Sequence, residues 1–210
     1  MGASRIDLRV PIAEKDQAKR LGARWDPRLR VWYVPPGVDD APLSKWILAP
    51  EPPNIRADSY FLAESARECW RCSRQTRVFA ILLPAGHEVL HVDDDPADDE
   101  WQVAEAPTRL SYIEYLPDPI AERLRSLAPH YWTDFSQTTQ SFYWMNHCER
   151  CGAKQGDFDT VEEHGSPFNP SVQEAAAAVL LREIPESFAA SCASHTCGIE
   201  LFDFMRHVHP

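Results

Sequence analysis

The sequence predicts an α+β protein in two units, a small strand-helix-strand-helix domain followed by a larger antiparallel β domain with C-terminal helices. Three observations carry that expectation. In the first fifty residues a polar-apolar alternation gives way to helix formers and then to a second apolar run. Three prolines fall within Ala49 to Asn54, where no packing pattern exists, and set a domain boundary. Beyond them, two Cys-x-x-Cys pairs bracket a stretch of apolar segments broken by turns. A chain of 210 residues that is 44 % apolar has material for a packed core.

The first unit is expected over residues 1–49. Arg5 to Val10 alternates as a half-buried strand does, and Pro11 ends it. Ala13 to Leu21 reads as a helix, with Glu14 and Asp16 early, Lys19 and Arg20 late, and Gly22 at the left-handed cap. Trp25-Asp26-Pro27 reads as a turn, Val31 to Val34 as a strand, and Leu43 to Leu48 as a closing helix. Residues 50–58 are the expected linker.

The second unit is expected over residues 59–210. Arg77 to Pro84 and His87 to Val92 read as strands joined around Ala85-Gly86, Leu110 to Leu116 and Ser141 to Asn146 as further strands, and Pro119 to Leu127 as a helix. Ser171 to Arg182 is the strongest helix signal, with Ser171 as N-cap, Glu174 completing a capping box and an alanine-rich body. Leu201 to His207 fits either helix or strand.

Four cysteines carry the sharpest chemistry. A tight turn at Cys-x-x-Cys brings both sulfurs to one side of the backbone, and two such turns supply the four thiolates of a closed tetrahedral zinc site. Cys69, Cys72, Cys148 and Cys151 are therefore the expected metal ligands, with zinc as cofactor. Gly152 stands where the turn needs positive φ, and Ser73 is a weaker version of the same turn. The 75 residues between the pairs exceed the roughly 15–20 of a simple ribbon, so an insertion separates them. Reduced or redox-active thiols are the alternative. His147 and His164 flank the second pair as substitute ligands. Cys192 and Cys197, with His195 between them, fit a buried apolar role or a further metal.

A site closed by four thiolates has no open position for activating water. Asp93 to Glu100 is acidic but lacks the spacing of a calcium loop, and no phosphate-binding glycine loop, serine elbow or His-Glu-x-x-His occurs. No catalytic residue is assigned. The amino terminus holds no apolar signal core and no segment offers the roughly 20 apolar residues of a membrane helix, so a cytoplasmic protein is expected.

Charge is uneven. The net charge is −11, yet residues 1–49 hold nine Lys/Arg against six Asp/Glu, a balance of +3 that leaves −14 for the remainder.

Two regions resemble known families. Val10-Pro11-Ile12, Glu14-Lys15-Asp16, Ala18-Lys19, Leu21 to Asp26, Val31 to Pro35 and Trp46 resemble a small bacterial domain of unknown function that recurs in plasmid primases and topoisomerase-like proteins. Residues 69–157, with Thr138-Thr139, Asn146 to Gly152 and Gln155-Gly156-Asp157, are similar to uncharacterised bacterial zinc-ribbon-like proteins. The first resemblance implies association with DNA or RNA, for which Lys15, Lys19, Arg20, Arg24, Arg28 and Arg30 are the expected contacts, with Trp25, Trp32 and Trp46 in the core. The leading expectation is a zinc-stabilised, non-enzymatic protein that binds nucleic acid or a nucleic-acid-processing partner. Its alternatives are an adaptor or inhibitor whose acidic domain meets a basic protein, and an enzyme with a pocket near Thr138, Tyr143 and His147.

Overall fold

The structure, a computed structural model, describes residues 5–27, 30–47, 52–93 and 99–208. By compactness the chain forms two units, residues 1–51 with 135–142, and residues 52–134 with 143–210.

In the first unit β1 (Ile6–Leu8), a 3-10 turn at Ile12–Glu14, α1 (Lys15–Arg20), β2 (Arg24–Asp26), β3 (Val31–Val34) and a 3-10 helix at Ala41–Trp46 follow in order. The sheet order is β1-β3-β2. Leu8, Val10, Ala18, Ala23, Val34, Leu43 and Trp46 form the core on the face that α1 covers. Gly22 has φ +102° and a Cβ there would lie 2.9 Å from Val38, so both backbone and space demand glycine.

Two expectations change here. Trp25 and Asp26 are strand rather than turn, because they pair with Trp32 and Val31 of β3. Trp25 is 47 % exposed and only leans on Trp32 at 5.6 Å, so of the three expected core tryptophans Trp46 alone is fully buried. The expected closing helix, Leu43 to Leu48, is the 3-10 segment, and its last residue lies outside the described residues.

The second unit begins inside the expected linker. Residues 50 and 51 lie outside the described residues, but β4 (Ile55–Ala57) is strand with Ile55 wholly buried. There follow β5 (Tyr60–Glu68), β6 (Gln75–Leu83), β7 (Glu88–His91), β8 (Glu100–Val103), β9 (Thr108–Tyr115) and α2 (Asp118–Leu127). Next come β10 (Tyr131–Phe135), β11 (Phe142–His147), β12 (Lys154–Gln155), a π-helix at Phe158–Glu162 and α3 (Gln173–Ala176). The chain closes with β13 (Leu180–Ile184), β14 (Phe188–Cys197) and β15 (Arg206–Val208). One nine-stranded sheet runs β15-β13-β5-β6-β9-β14-β4-β7-β8, and a smaller one runs β10-β11-β12.

Strands β5 and β6 form the centre. Tyr60, Leu62, Phe79 and Ile81 enter one core, and the alternate residues Phe61, Ala63, Val78 and Ala80 enter a second on the opposite face. A strand apolar on both faces marks a sheet covered on both sides.

The expected C-terminal helix, Ser171 to Arg182, is corrected. Four residues are α-helical, and Leu180–Ile184 instead pairs with β5, because Val179 and Leu181 gain more from the second core than from helical propensity. Val172, not Ser171, holds the N-cap position, in extended conformation. The two strands expected on either side of Ala85-Gly86 are β6 and β7, and β7 pairs with β4 and β8. The domain is also not purely antiparallel, since β13 and β15 run parallel.

Candidate metal centre

Each cysteine pair occupies a six-residue turn between antiparallel strands. Cys69 to Arg74 joins β5 to β6, where Glu68 faces Gln75, and Cys148 to Ala153 joins β11 to β12, where His147 faces Lys154. The two turns are built alike. Cys69 N–H donates to Arg74 C=O at 2.9 Å and Ser73 N–H to Cys69 C=O at 2.9 Å. Correspondingly, Cys148 N–H donates to Ala153 C=O at 2.8 Å and Gly152 N–H to Cys148 C=O at 2.9 Å. Ser73 and Gly152 sit at φ 53° and 69°, the left-handed position expected of both.

The four sulfurs lie within 4.8 Å of one another and can hold a metal ion. Metal-sulfur bonds of about 2.3 Å in a regular tetrahedron place sulfurs about 3.8 Å apart. Cys69 and Cys151 are separated by 3.7 Å and Cys72 and Cys148 by 3.8 Å. The spacing therefore fits a tetrahedral thiolate-held ion. In each pair the first cysteine is buried and the second partly exposed.

Donors around the Cys69 and Cys148 sulfurs favour thiolate there, whereas at Cys151 the Ala153 N–H is outweighed by desolvation and the neighbouring thiols, which push the group up to about 11. The buried Gln155 amide donates to Cys69 Sγ at 3.4 Å, and Arg150 N–H to Cys148 Sγ at 3.4 Å. Burial pushes the Cys148 thiol up, but the backbone N–H groups of Cys151 and Arg150 outweigh it and bring the group down to about 6. Cys69 is likewise lowered, burial being outweighed by the N–H groups of Cys72 and Arg71.

The second turn is docked on β6. Asn146 accepts from Phe79 N–H at 2.7 Å and donates to Phe79 C=O at 2.8 Å, so a side chain completes the edge that a strand would otherwise pair. Thr76 Oγ1 accepts from Glu149 N–H at 3.0 Å, and Glu149 holds the Arg77 guanidinium at 2.8 Å. Gln155 and Asn146 went unassigned to the site in the sequence. Their position beside the second pair was the available signal.

The flanking histidines are not among the clustered ligands. His147 Nε2 meets Asp134 at 3.0 Å, its ring stacks on Trp132 at 3.6 Å and 5°, and burial lowers its pKa despite the Asp134 carboxylate. His164 lies exposed in a turn. Cys192 is buried on β14, where burial and Glu114 push its thiol up to about 12, and Cys197 is exposed and accepts from Thr108 Oγ1. Of the expected pocket residues, Tyr143 and His147 are 2 % exposed, Tyr143 edge-on to Tyr112, while Thr138 lies exposed in a turn. Of the acidic run, Asp94 to Asp98 lie outside the described residues.

In the first unit, the expected basic contacts divide between two faces. Lys15, Lys19 and Arg20 are exposed on α1, whose Ala18 faces the core. Arg24 aligns with Tyr33 and Asp7, on the sheet face opposite the one α1 covers. Arg30 is exposed beside β3, and Arg28 lies outside the described residues.

This segment has relatives. Residues 5–47 match the family model described as a domain of unknown function, DUF5710. The DUF5710 segment is 62 % identical over 42 residues to a protein of Escherichia coli named DNA primase TraC, covering 20 % of this chain and 4 % of that protein. A second Escherichia coli protein of the same name is 62 % identical over 39 residues, 19 % of this chain and 3 % of that one. The chain thus matches only a small part of the length of either relative. No solved structure matches the chain.

Inside the DUF5710 segment, Glu14 accepts from the Trp46 indole at 2.7 Å and pairs with Lys45 at 2.9 Å. This ties the last helix back to the start of α1. No helix among the described residues is long and apolar enough to cross a membrane.

Proposed function

We propose that the protein is a zinc-stabilised, non-enzymatic binding protein that works in a nucleic-acid setting through its DUF5710 segment. The observation that carries the setting is the 62 % identity of that segment to part of a DNA primase. Zinc is the metal this reading places in the closed set of four thiolates, and such a set leaves no position for substrate. Residues 1–49 form the docking domain in this reading, and the zinc-ribbon-like second domain is the scaffold. Exposed Lys15, Lys19 and Arg20 on α1 supply phosphate contacts, with Arg24 and Arg30 on other faces of the unit. The adaptor reading, a basic protein meeting the acidic second domain, draws on the −14 balance of residues 50–210.

Elemental analysis of the purified protein, joined to titration with single- and double-stranded DNA at two salt concentrations, tests the proposal. One zinc per chain and binding that falls with salt is the expected result. A stable metal-free protein overturns the zinc. Absence of binding at low salt, or binding untouched by charge reversal at Lys19, Arg20 and Arg24, overturns the nucleic-acid surface.

A further inference from the structure

The two cysteine turns carry a second surface that the metal centre does not require. Trp70, between the cysteines of the first turn, is 65 % exposed. Its indole N–H donates to the Lys154 carbonyl at 2.6 Å, which holds the ring across the start of β12 and leaves it open to solvent. Arg71 and Arg150 stand at the same position in the two matching turns, immediately before the second cysteine, and both are exposed. Arg74 ends the first turn and is exposed as well.

The charges here are available. Among the described residues Arg71, Arg74 and Arg150 have no carboxylate partner, whereas neighbouring Arg77 is held by Glu149 and Glu64. Residues 67–77 hold four arginines against one acid, inside a region whose balance is −14. Compensating the thiolates does not explain them, because the donors to the clustered sulfurs are the Gln155 amide and backbone N–H groups, not guanidinium groups. An indole fixed at one end and largely exposed, with unpaired guanidiniums in the same pair of turns, is the composition that stacks a base and holds its phosphates.

We propose that the paired turns form a platform for single-stranded nucleic acid, with Trp70 stacking on a base and Arg71, Arg74 and Arg150 contacting the backbone. The platform extends the nucleic-acid reading to the second unit and uses no residue of the DUF5710 segment.

Full-length protein titrated with labelled oligothymidine over a range of salt concentrations tests it, every variant being checked for metal content and unfolding midpoint. Trp70→Ala is expected to weaken binding about tenfold. Arg71→Gln with Arg150→Gln is expected to lower the slope of log affinity against log salt by about 1.4. Should Trp70→Ala lose metal, the arginine pair decides. Wild-type binding by Trp70→Ala and by Arg71→Gln with Arg150→Gln, while Lys19→Glu with Arg20→Glu loses binding, overturns the platform and leaves the earlier reading standing. The reverse pattern supports the platform, and wild-type protein that binds no oligothymidine at low salt overturns it.

Discussion

The turns at Cys69 to Arg74 and Cys148 to Ala153 share hydrogen bonds, ligand geometry and a left-handed fifth residue, yet they are embedded differently. The first projects from a hairpin whose strands pair from Phe61–Leu82 to Glu68–Gln75, and its side chains Trp70, Arg71 and Arg74 face solvent. The second is anchored: Asn146 completes the edge of β6, and Glu149 clamps Arg77. One backbone device thus serves two ends, display in one turn and attachment in the other. Metal-ligand spacing specifies the turn, and the residues between and beside the cysteines specify its role.

Removing a sulfur should erase the comparison altogether. Cys148→Ser or Cys69→Ser is expected to release the metal and unfold the two hairpin ends that carry the turns, since structural zinc sites contribute on the order of 10 kcal/mol of folding free energy. Metal stoichiometry and a thermal melt check this, and a variant with full metal and an unchanged melt refutes the four-sulfur site.

The strand after the first turn enters an apolar core, but the chain after the second runs into Asp157, which is wholly buried. Burial raises its carboxyl to about 7, with Tyr112 N–H opposing at 2.7 Å and Glu162 adding to the rise, while its Oδ1 has no partner. A carboxyl raised on folding contributes stability below its ordinary value near 4 and loses it as pH climbs through about 7. Asp157→Asn keeps an acceptor for Tyr112, so it should gain about 2–4 kcal/mol over wild type at pH 8 and nothing at pH 4. Urea unfolding at the two pH values reads the difference, and equal gains at both would remove the buried acid as its cause.

Asn146→Ala strikes the anchor of the second turn alone. Leaving the Phe79 N–H and C=O unpaired should cost about 2–3 kcal/mol in urea unfolding, with metal still bound. The smallest effect compares the turns directly. Ser73→Gly should stabilise by about 1 kcal/mol and Gly152→Ser should cost about as much, because both positions are left-handed. Identical shifts of the same sign would show that the turns are not equivalent.

The gathering of the four cysteines, the Gly22 cap and the helix at 118–127 were legible because each rests on local rules of spacing, backbone freedom or periodicity. The helix expected over 171–182 failed where propensity met a sheet edge: Leu181 reads as helical in its own segment but lies in the register of Ala63. Strand β14 escaped notice because Ala189, Ala190, Ser191 and Ala193 carry no strand signal, and pairing with β9 and β4 alone makes it extended. The expected basic contacts divide between two faces for a similar reason. Arg24 is near α1 in sequence, but strand alternation turns it to the far side of the sheet. Asn146 depended on a partner 67 residues away, beyond any local pattern.

The 75 residues between the paired cysteines also set an order of events during synthesis. At about 5–20 residues per second, a ribosome takes roughly 4–15 s to pass from Cys72 to Cys148. For that interval the nascent chain offers two sulfurs of the four, in a hairpin whose strands are already adjacent in sequence. The metal centre is therefore a late clasp, closed only after the central strands, β9 and α2 have emerged.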